Sequence, residues 1–270
     1  YVTNVGPNVL LRNDGTGRFE NVSRQAGVDD SGWGTASAFT DFDKDGDLDL
    51  FVVNYIVWGR HGEPDCFIDG VRTYCAPEHF DAPAPDRLFR NNNDGTFTDI
   101  SEQIGLNYVF GNGLGIVTRD FDGDGWVDVF VANDMNSNQL WLNRKDLRFT
   151  ESALRKGVAV DGHGNIKAGM GVVSDDIDGD QDPDLLVVNL ETQADSFFRN
   201  DISHFTDVTT EIGLGVNTRK TTRFGVILAD FNNDGYLDIY EANGRINPGD
   251  YSLDFFCWTY DFWGNSNIIK

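Results

Sequence analysis

The amino-acid sequence predicts an all-β fold, a β-propeller of four-stranded antiparallel blades with calcium loops in the hairpin between strands one and two. Three observations lead there. An aspartate-rich block running straight into a short β-branched segment occurs four times, and a second block of two short strands around a polar turn alternates with it. One pair of blocks occupies about 55 residues, the proportion of a four-stranded blade.

The first block reads "DFDKDGDLDLFVVN" at 41–54, "DFDGDGWVDVFVAN" at 120–133, "DIDGDQDPDLLVVN" at 176–189 and "DFNNDGYLDIYEAN" at 230–243. Oxygen-bearing side chains fill positions 1, 3, 5 and 9 in all four. They are Asp41, Asp43, Asp45 and Asp49; Asp120, Asp122, Asp124 and Asp128; Asp176, Asp178, Asp180 and Asp184; and Asp230, Asn232, Asp234 and Asp238. Gly46, Gly125 and Gly235 supply a tight turn at position 6. The backbone carbonyls of position 7 (Asp47, Trp126, Asp182 and Tyr236) complete an oxygen shell suited to a hard cation. Like charges this close repel unless a cation neutralises them, so the pattern predicts about four Ca²⁺ sites. Position 12, a glutamate before a helix in an EF-hand, is Val52, Val131, Val187 and Glu241 here, and the exit is β-branched. These are hairpin loops, and Glu241 reads as a coincidence.

The second block runs "NVLLRNDGTGRFENVSRQAGV" from Asn8, "DRLFRNNNDGTFTDISEQIGL" from Asp86, "NQLWLNRKDLRFTESALRKGV" from Asn138 and "DSFFRNDISHFTDVTTEIGL" from Asp195. Each gives a strand, a turn, a strand and a short segment closing on Gly-Val or Gly-Leu. Acidic blocks start 79, 56 and 54 residues apart, and the long interval holds an insertion at 55–85. The boundaries that follow, for a single propeller domain, are a partial blade at 1–33, blades at 34–112, 113–168 and 169–222, a half blade at 223–248 and a tail at 249–270 that matches no repeat. Gly34, Gly113, Gly115, Gly169, Gly171 and Gly225, just ahead of the loops, suit crowded inner strands.

"YVTN" at the start matches "FVVN", the strand that leaves each loop, so both ends carry incomplete blades. Their unpaired edges predict further blades outside this segment, closure within the chain, or strand complementation between copies that builds a dimer or filament with the aromatic tail as interface.

Of 270 residues 40% are hydrophobic and 24% charged, as in soluble globular proteins. The net charge is −23, and seventeen of the 44 acidic residues lie in the four loops. Four Ca²⁺ would leave about −15, which argues against nucleic acid and anionic membranes as partners. No apolar run is long enough for a membrane span. Cys66 and Cys75 read as a disulfide closing a short loop, worth roughly 3 kcal/mol and fitting an oxidising compartment, with two free buried cysteines as the alternative. Cys257 has no evident partner. Asn21, in "NVS", is the one N-glycosylation sequon.

No enzyme is expected. Neither "HExxH" nor "GxSxG" occurs, and His61, His79, His163 and His204 are scattered. The competing reading is a carbohydrate-binding or carbohydrate-active (lyase or glycosidase) propeller. Trp58, Tyr74, Phe80, Trp258, Tyr260 and Trp263 would stack on sugars in that reading and anchor a core or interface in the other.

"DFDGDGxxDxFVxN" alternating with "LFRNxxDGTFTDIS" resembles the FG-GAP/VCBS repeats of integrin-α-like propellers. "DCFIDGVRTYCAPEHF" ahead of "DRLFRNNNDGTF" is similar to bacterial FG-GAP proteins related to cartilage acidic protein and found with an ASPIC/UnbV domain. The resemblance covers 1–248. It implies a secreted or cell-surface adhesion, matrix or scaffold role with extracellular protein or glycan partners. Two departures, Gln181 for the turn glycine and Asn232 for an aspartate, mark the third and fourth sites as the weakest.

Overall fold

A strand written "LFVV" has no polar face, so it must be covered on both sides. The computed structural model, which describes residues 1–59, 64–68, 70–73, 75–145, 147–244, 258–260 and 266–268, meets that requirement by laying sheets face to face. Asp49–Asn54, Asp128–Asn133 and Asp184–Asn189 are buried at every position. Each is the second strand of a four-stranded antiparallel sheet.

The first sheet is Gly34–Thr40, Asp49–Asn54, Arg87–Asn91 and Phe97–Asp99. The second is Gly113–Arg119, Asp128–Asn133, Gln139–Asn143 and Phe149–Glu151, and the third Gly169–Asp175, Asp184–Asn189, Ser196–Asn200 and Phe205–Asp207. Thr222–Ala229 and Asp238–Gly244 open a fourth. Trp258–Tyr260 and Ser266–Ile268 complete it in the same order, so the tail, expected to match no repeat, supplies two strands. Backbone pairing does not need the repeat's side-chain signature, which is why the sequence pattern missed them. At the other end Leu11–Asn13 pairs with Phe19–Asn21 and Val2 bridges Val9. Among the described residues of the insertion, Cys66–Ile68 pairs with Val71–Thr73, and the Cys66–Cys75 disulfide is formed. Cys257 lies outside the described residues.

The apolar core is divided among the spaces between sheets. Leu50 and Val52 face the N-terminal sheet, packing with Ala26 and Val28. Phe51 and Val53 face the second sheet, packing with Val129, Val131 and Trp141. Phe130 and Ala132 meet Leu185 and Val187 of the third, and Leu186 meets Ile239 of the fourth. The two-residue alternation of a strand thus serves two cores at once. The first strand of a sheet lies close to its neighbours: a Cβ on Gly113 would collide with Val53 in the second strand of the preceding sheet, and one on Gly171 with the Phe224 carbonyl in the first strand of the next.

Side chains repeat as regularly as strands. The first residue of each second block accepts the N–H of the last residue of the strand before it. These bonds are Asn4 to Asn8 (2.7 Å), Asn54 to Asp86 (2.9 Å), Asn133 to Asn138 (3.1 Å) and Asn189 to Asp195 (2.9 Å). Asn4 makes the same bond as the residues that end the second strands of the later sheets. Further along, the Leu88 N–H donates to Ser101 Oγ (2.9 Å), which donates to Asp99 (2.5 Å). Phe197, Thr209 and Asp207 repeat the relay, and so do Leu10, Ser23 and Asn21. The second sheet has Ala153 in place of the hydroxyl residue, and there Glu151, one methylene longer, reaches the Leu140 N–H itself (3.2 Å). Ser101→Ala should therefore cost about 1–3 kcal/mol by orphaning a buried N–H. Adding Asp99→Glu should recover part of the loss. Urea midpoints of the single and double variants check this, and a double variant no more stable than the single would refute the relay.

Candidate metal centres

The hairpin tips between first and second strands hold the acidic loops, and all four fold alike. The position-1 carboxylate accepts two loop amides: Asp45 and Gly46 N–H on Asp41, Asp124 and Gly125 on Asp120, Gly179 and Gln181 on Asp176, and Asp234 and Gly235 on Asp230. The position-5 carboxylate accepts the N–H of position 7 (Asp47, Trp126, Asp182, Tyr236) at 2.9–3.0 Å. That leaves the carbonyls of position 7 uncommitted by these bonds. Positions 4 and 6 both take positive φ: Lys44 at 62° and Gly46 at 95°, Gly123 at 70° and Gly125 at 86°, Gly179 at 83° and Gln181 at 77°, Asn233 at 60° and Gly235 at 92°. Position 6 was legible as glycine. Position 4 was not, because Lys44 and Asn233 occupy it in half the loops.

Carboxylate oxygens of Asp41, Asp43 and Asp45 lie within 4.8 Å of one another, as do those of Asp120, Asp122 and Asp124, and of Asp176, Asp178 and Asp180. Asp122 Oδ1 is buried without a hydrogen-bond partner, and the Asp43 and Asp178 carboxyls are pushed up by desolvation and the carboxylates beside them. Three converging hard oxygens with an orphaned lone pair and mutual repulsion fit a divalent cation. The second loop already draws a counter-charge, Arg144 to Asp122 at 2.6 Å. In the fourth loop Asn232 donates to Asp234 (2.9 Å), so the amide that replaces a carboxylate satisfies its neighbour internally. Gln181 leaves the third cluster intact, its cost confined to a left-handed backbone.

Position 9 stands apart from those clusters. Asp49, Asp128, Asp184 and Asp238 are buried, and one oxygen of each accepts the position-2 N–H, of Phe42 (3.2 Å), Phe121 (2.8 Å), Ile177 (3.1 Å) and Phe231 (2.9 Å). In the first three the other oxygen accepts the N–H ending the third strand, of Asn91 (2.9 Å), Asn143 (2.7 Å) and Asn200 (2.8 Å). Desolvation outweighs these bonds and pushes Asp49 up to about 6, and Asp128 and Asp184 up to about 7. The same asparagines reach across sheets: Asn143 Nδ2 donates to the Phe42 carbonyl (2.8 Å), and Asn200 Nδ2 to that of Phe121 (3.0 Å). Lys44 also sits over the Trp126 ring, 4.4 Å from its centroid, joining the first loop to the second.

Glu241 matches an EF-hand glutamate only by coincidence, and its partners lie elsewhere. It is buried beside Asp195 and Arg223, whose guanidinium donates to Asp195 (2.8 Å from Nε) and to the carbonyls of Thr218, Thr221 and Gln193. Burial, then the Asp195 charge, pushes the Glu241 carboxyl up. The signal was present as a pair of departures: Arg223 stands where the other repeats have glycine, and Glu241 where they have valine. Of the remaining sequence candidates, Asn21 is exposed but its Oδ1 accepts both N–H and Oγ–H of Ser23. His163 and His204 are exposed, while His61, Tyr74 and Trp263 lie outside the described residues.

The model of the FG-GAP-like repeat matches residues 1–52, 74–131, 120–169 and 176–241. The chain belongs to the FG-GAP-like repeat family. Within that family it is 29% identical to Cartilage acidic protein 1 of Xenopus tropicalis and 27% to that of Homo sapiens, over 169 residues in each case. Those alignments take in 60% of this chain and 25% of either relative, so the chain spans about a quarter of the curated relatives' length. Among solved structures it is similar to an Agrocybe aegerita lectin described as recognising non-reducing terminal N-acetylglucosamine, at 15% identity and a TM-score of 0.41, over 98% of this chain and 74% of the lectin.

Free of divalent cations, this FG-GAP-like chain should gain stability as pH falls from 7 towards 5. The folded pKa values of Asp49, Asp128 and Asp184 lie above the unfolded value of about 4, so the native state binds protons the unfolded state does not. That contribution is lost as pH rises through about 6 to 7. Melting curves in chelator should show a higher Tm at pH 5 than at pH 7.5, with the difference reduced in Asp128→Asn.

Proposed function

We propose that this FG-GAP-like chain is a non-catalytic, extracellular β-propeller segment whose four loops bind Ca²⁺ and whose sheets act as an adhesion or matrix scaffold. The observation that carries the reading is the threefold recurrence of carboxylates held within 4.8 Å of one another on a rigid hairpin tip. Asp41, Asp43 and Asp45 with the Asp47 carbonyl would hold one ion, and the equivalent residues of the other loops the rest. The ion would supply the charge that lets these carboxylates stay ionised and the position-9 aspartates stay buried. The Cys66–Cys75 disulfide and relatives named for cartilage support an oxidising, extracellular setting. No helix among the described residues is long and apolar enough to cross a membrane.

Extracellular modules bind calcium with Kd of about 10⁻⁴ to 10⁻³ M, so at ~1 mM each site adds roughly 0.4–1.4 kcal/mol. Four sites give roughly 2–6 kcal/mol, a large share of a typical stability. Calorimetry with calcium and with excess chelator should show a Tm lower by many degrees in chelator, and an unchanged curve would overturn the calcium reading. Asp122→Ala should reduce the calcium-dependent shift more than Asn232→Ala, which removes a neutral ligand from a loop that already satisfies itself.

A second reading, carbohydrate binding, is favoured by one observation: Trp33 and Trp58 meet at 81° on the wall of a large cavity.

A further inference from the structure

The connection ahead of the first sheet, the end of its second strand and both ends of the insertion converge on the side of the molecule opposite the acidic loops. Between them lies a 910 Å³ cavity whose lining includes Asp30, Trp33, Asn54, Trp58 and Arg87. Its volume is that of a small-molecule site. Trp33 holds the aromatic wall together, edge-on to Trp58 (centroids 6.0 Å apart) and to Tyr55 (5.5 Å, 68°). Two rings at right angles make a corner, in which a flat ligand lies on one and abuts the other.

The polar side of the cavity is an ion pair pinned from behind. Asp30 Oδ2 accepts Asn54 Nδ2 (3.1 Å), and Arg87 donates to Asn107 (2.9 Å), which leaves Asp30 Oδ1 and Arg87 Nε facing each other at 3.7 Å. That distance is too long for a hydrogen bond. Asp30 Oδ1, the remaining Arg87 donors and both indole N–H groups therefore have no hydrogen-bond partner among the described residues. Opposite charges side by side select neither anion nor cation. What satisfies an acceptor and several donors beside an aromatic face is a group that both donates and accepts on an apolar body, which is a sugar hydroxyl on a pyranose ring. The net charge of −23 works further against an anionic glycan.

We propose that this cavity binds one or two residues of a neutral glycan, with an equatorially substituted pyranose laid on the Trp33/Trp58 corner and its hydroxyls shared between Asp30 and Arg87. The proposal rests on the carbohydrate-binding reading and gives it a place and a ligand class. Isothermal titration of the full chain in calcium with cellotetraose and chitotetraose tests it, using wild type, Trp58→Ala and Asp30→Asn, each checked by its melting curve. Saturable binding is expected for at least one tetraose, weakened by about tenfold or more in Trp58→Ala, the loss of about 1.4 kcal/mol, and also weakened in Asp30→Asn. Should Trp58→Ala fail to fold, Trp58→Phe takes its place, with a smaller loss expected. Binding that survives both substitutions would overturn this cavity while leaving carbohydrate binding in force elsewhere. No heat with either tetraose, or stronger binding of polygalacturonate, would overturn the neutral-glycan assignment. The calcium-dependent melting shift is independent of every one of these results.

Discussion

One buried carboxylate per repeat, at the ninth position of the acidic loop, sets the geometry of everything around it. In the first three sheets its two oxygens tie the second residue of the loop to the last residue of the third strand, which couples hairpin tip and sheet. The asparagine that ends that strand then uses its side chain on the preceding sheet's loop, at the carbonyl of the residue whose N–H that sheet's own carboxylate holds. Loop, sheet and neighbouring sheet are linked through single peptide groups. A carboxylate in such a place is expensive to desolvate, and the upward shifts of Asp49, Asp128 and Asp184 register that cost.

The same tension explains the distribution of positive charge. Arg144 leans on Asp122, and Lys44 leaves its own loop for the Trp126 ring of the next. Where the pattern breaks, the chain compensates locally: Asn232 donates to Asp234, and Arg223 enters the core opposite Glu241 and Asp195. The fourth sheet carries both changes. Its outward side also shows Phe224 and Ile227, about half exposed, where earlier sheets present equivalent residues to a neighbour.

Most of the fold was legible because each repeat writes the same physics in the same order: an apolar run needing two cores, glycines where first strands crowd, and acidic tips. The acidic clusters were legible for the same reason. Three features were not. The left-handed residue at position 4 is hidden by Lys44 and Asn233, since backbone geometry there is set by the hydrogen bonds on Asp41 and Asp230 and not by residue type. The last two strands follow a connection without the repeat's signature. The Trp33–Trp58 corner joins residues from two connections, and only the pairing of Gly34–Thr40 with Asp49–Asn54 brings them together.

The exchange of Asp99 and Ser101 for Glu151 and Ala153 carries a wider lesson about reading such chains. Scored one column at a time, the second repeat differs from its sisters twice. Scored by what the Leu140 amide requires, it does not differ at all, because a methylene has moved from one residue to its neighbour's function. The unit that drifts here is a pair of residues jointly answering one orphan donor. Repeats that have diverged beyond recognition by letter are still comparable by asking which side chain answers which N–H.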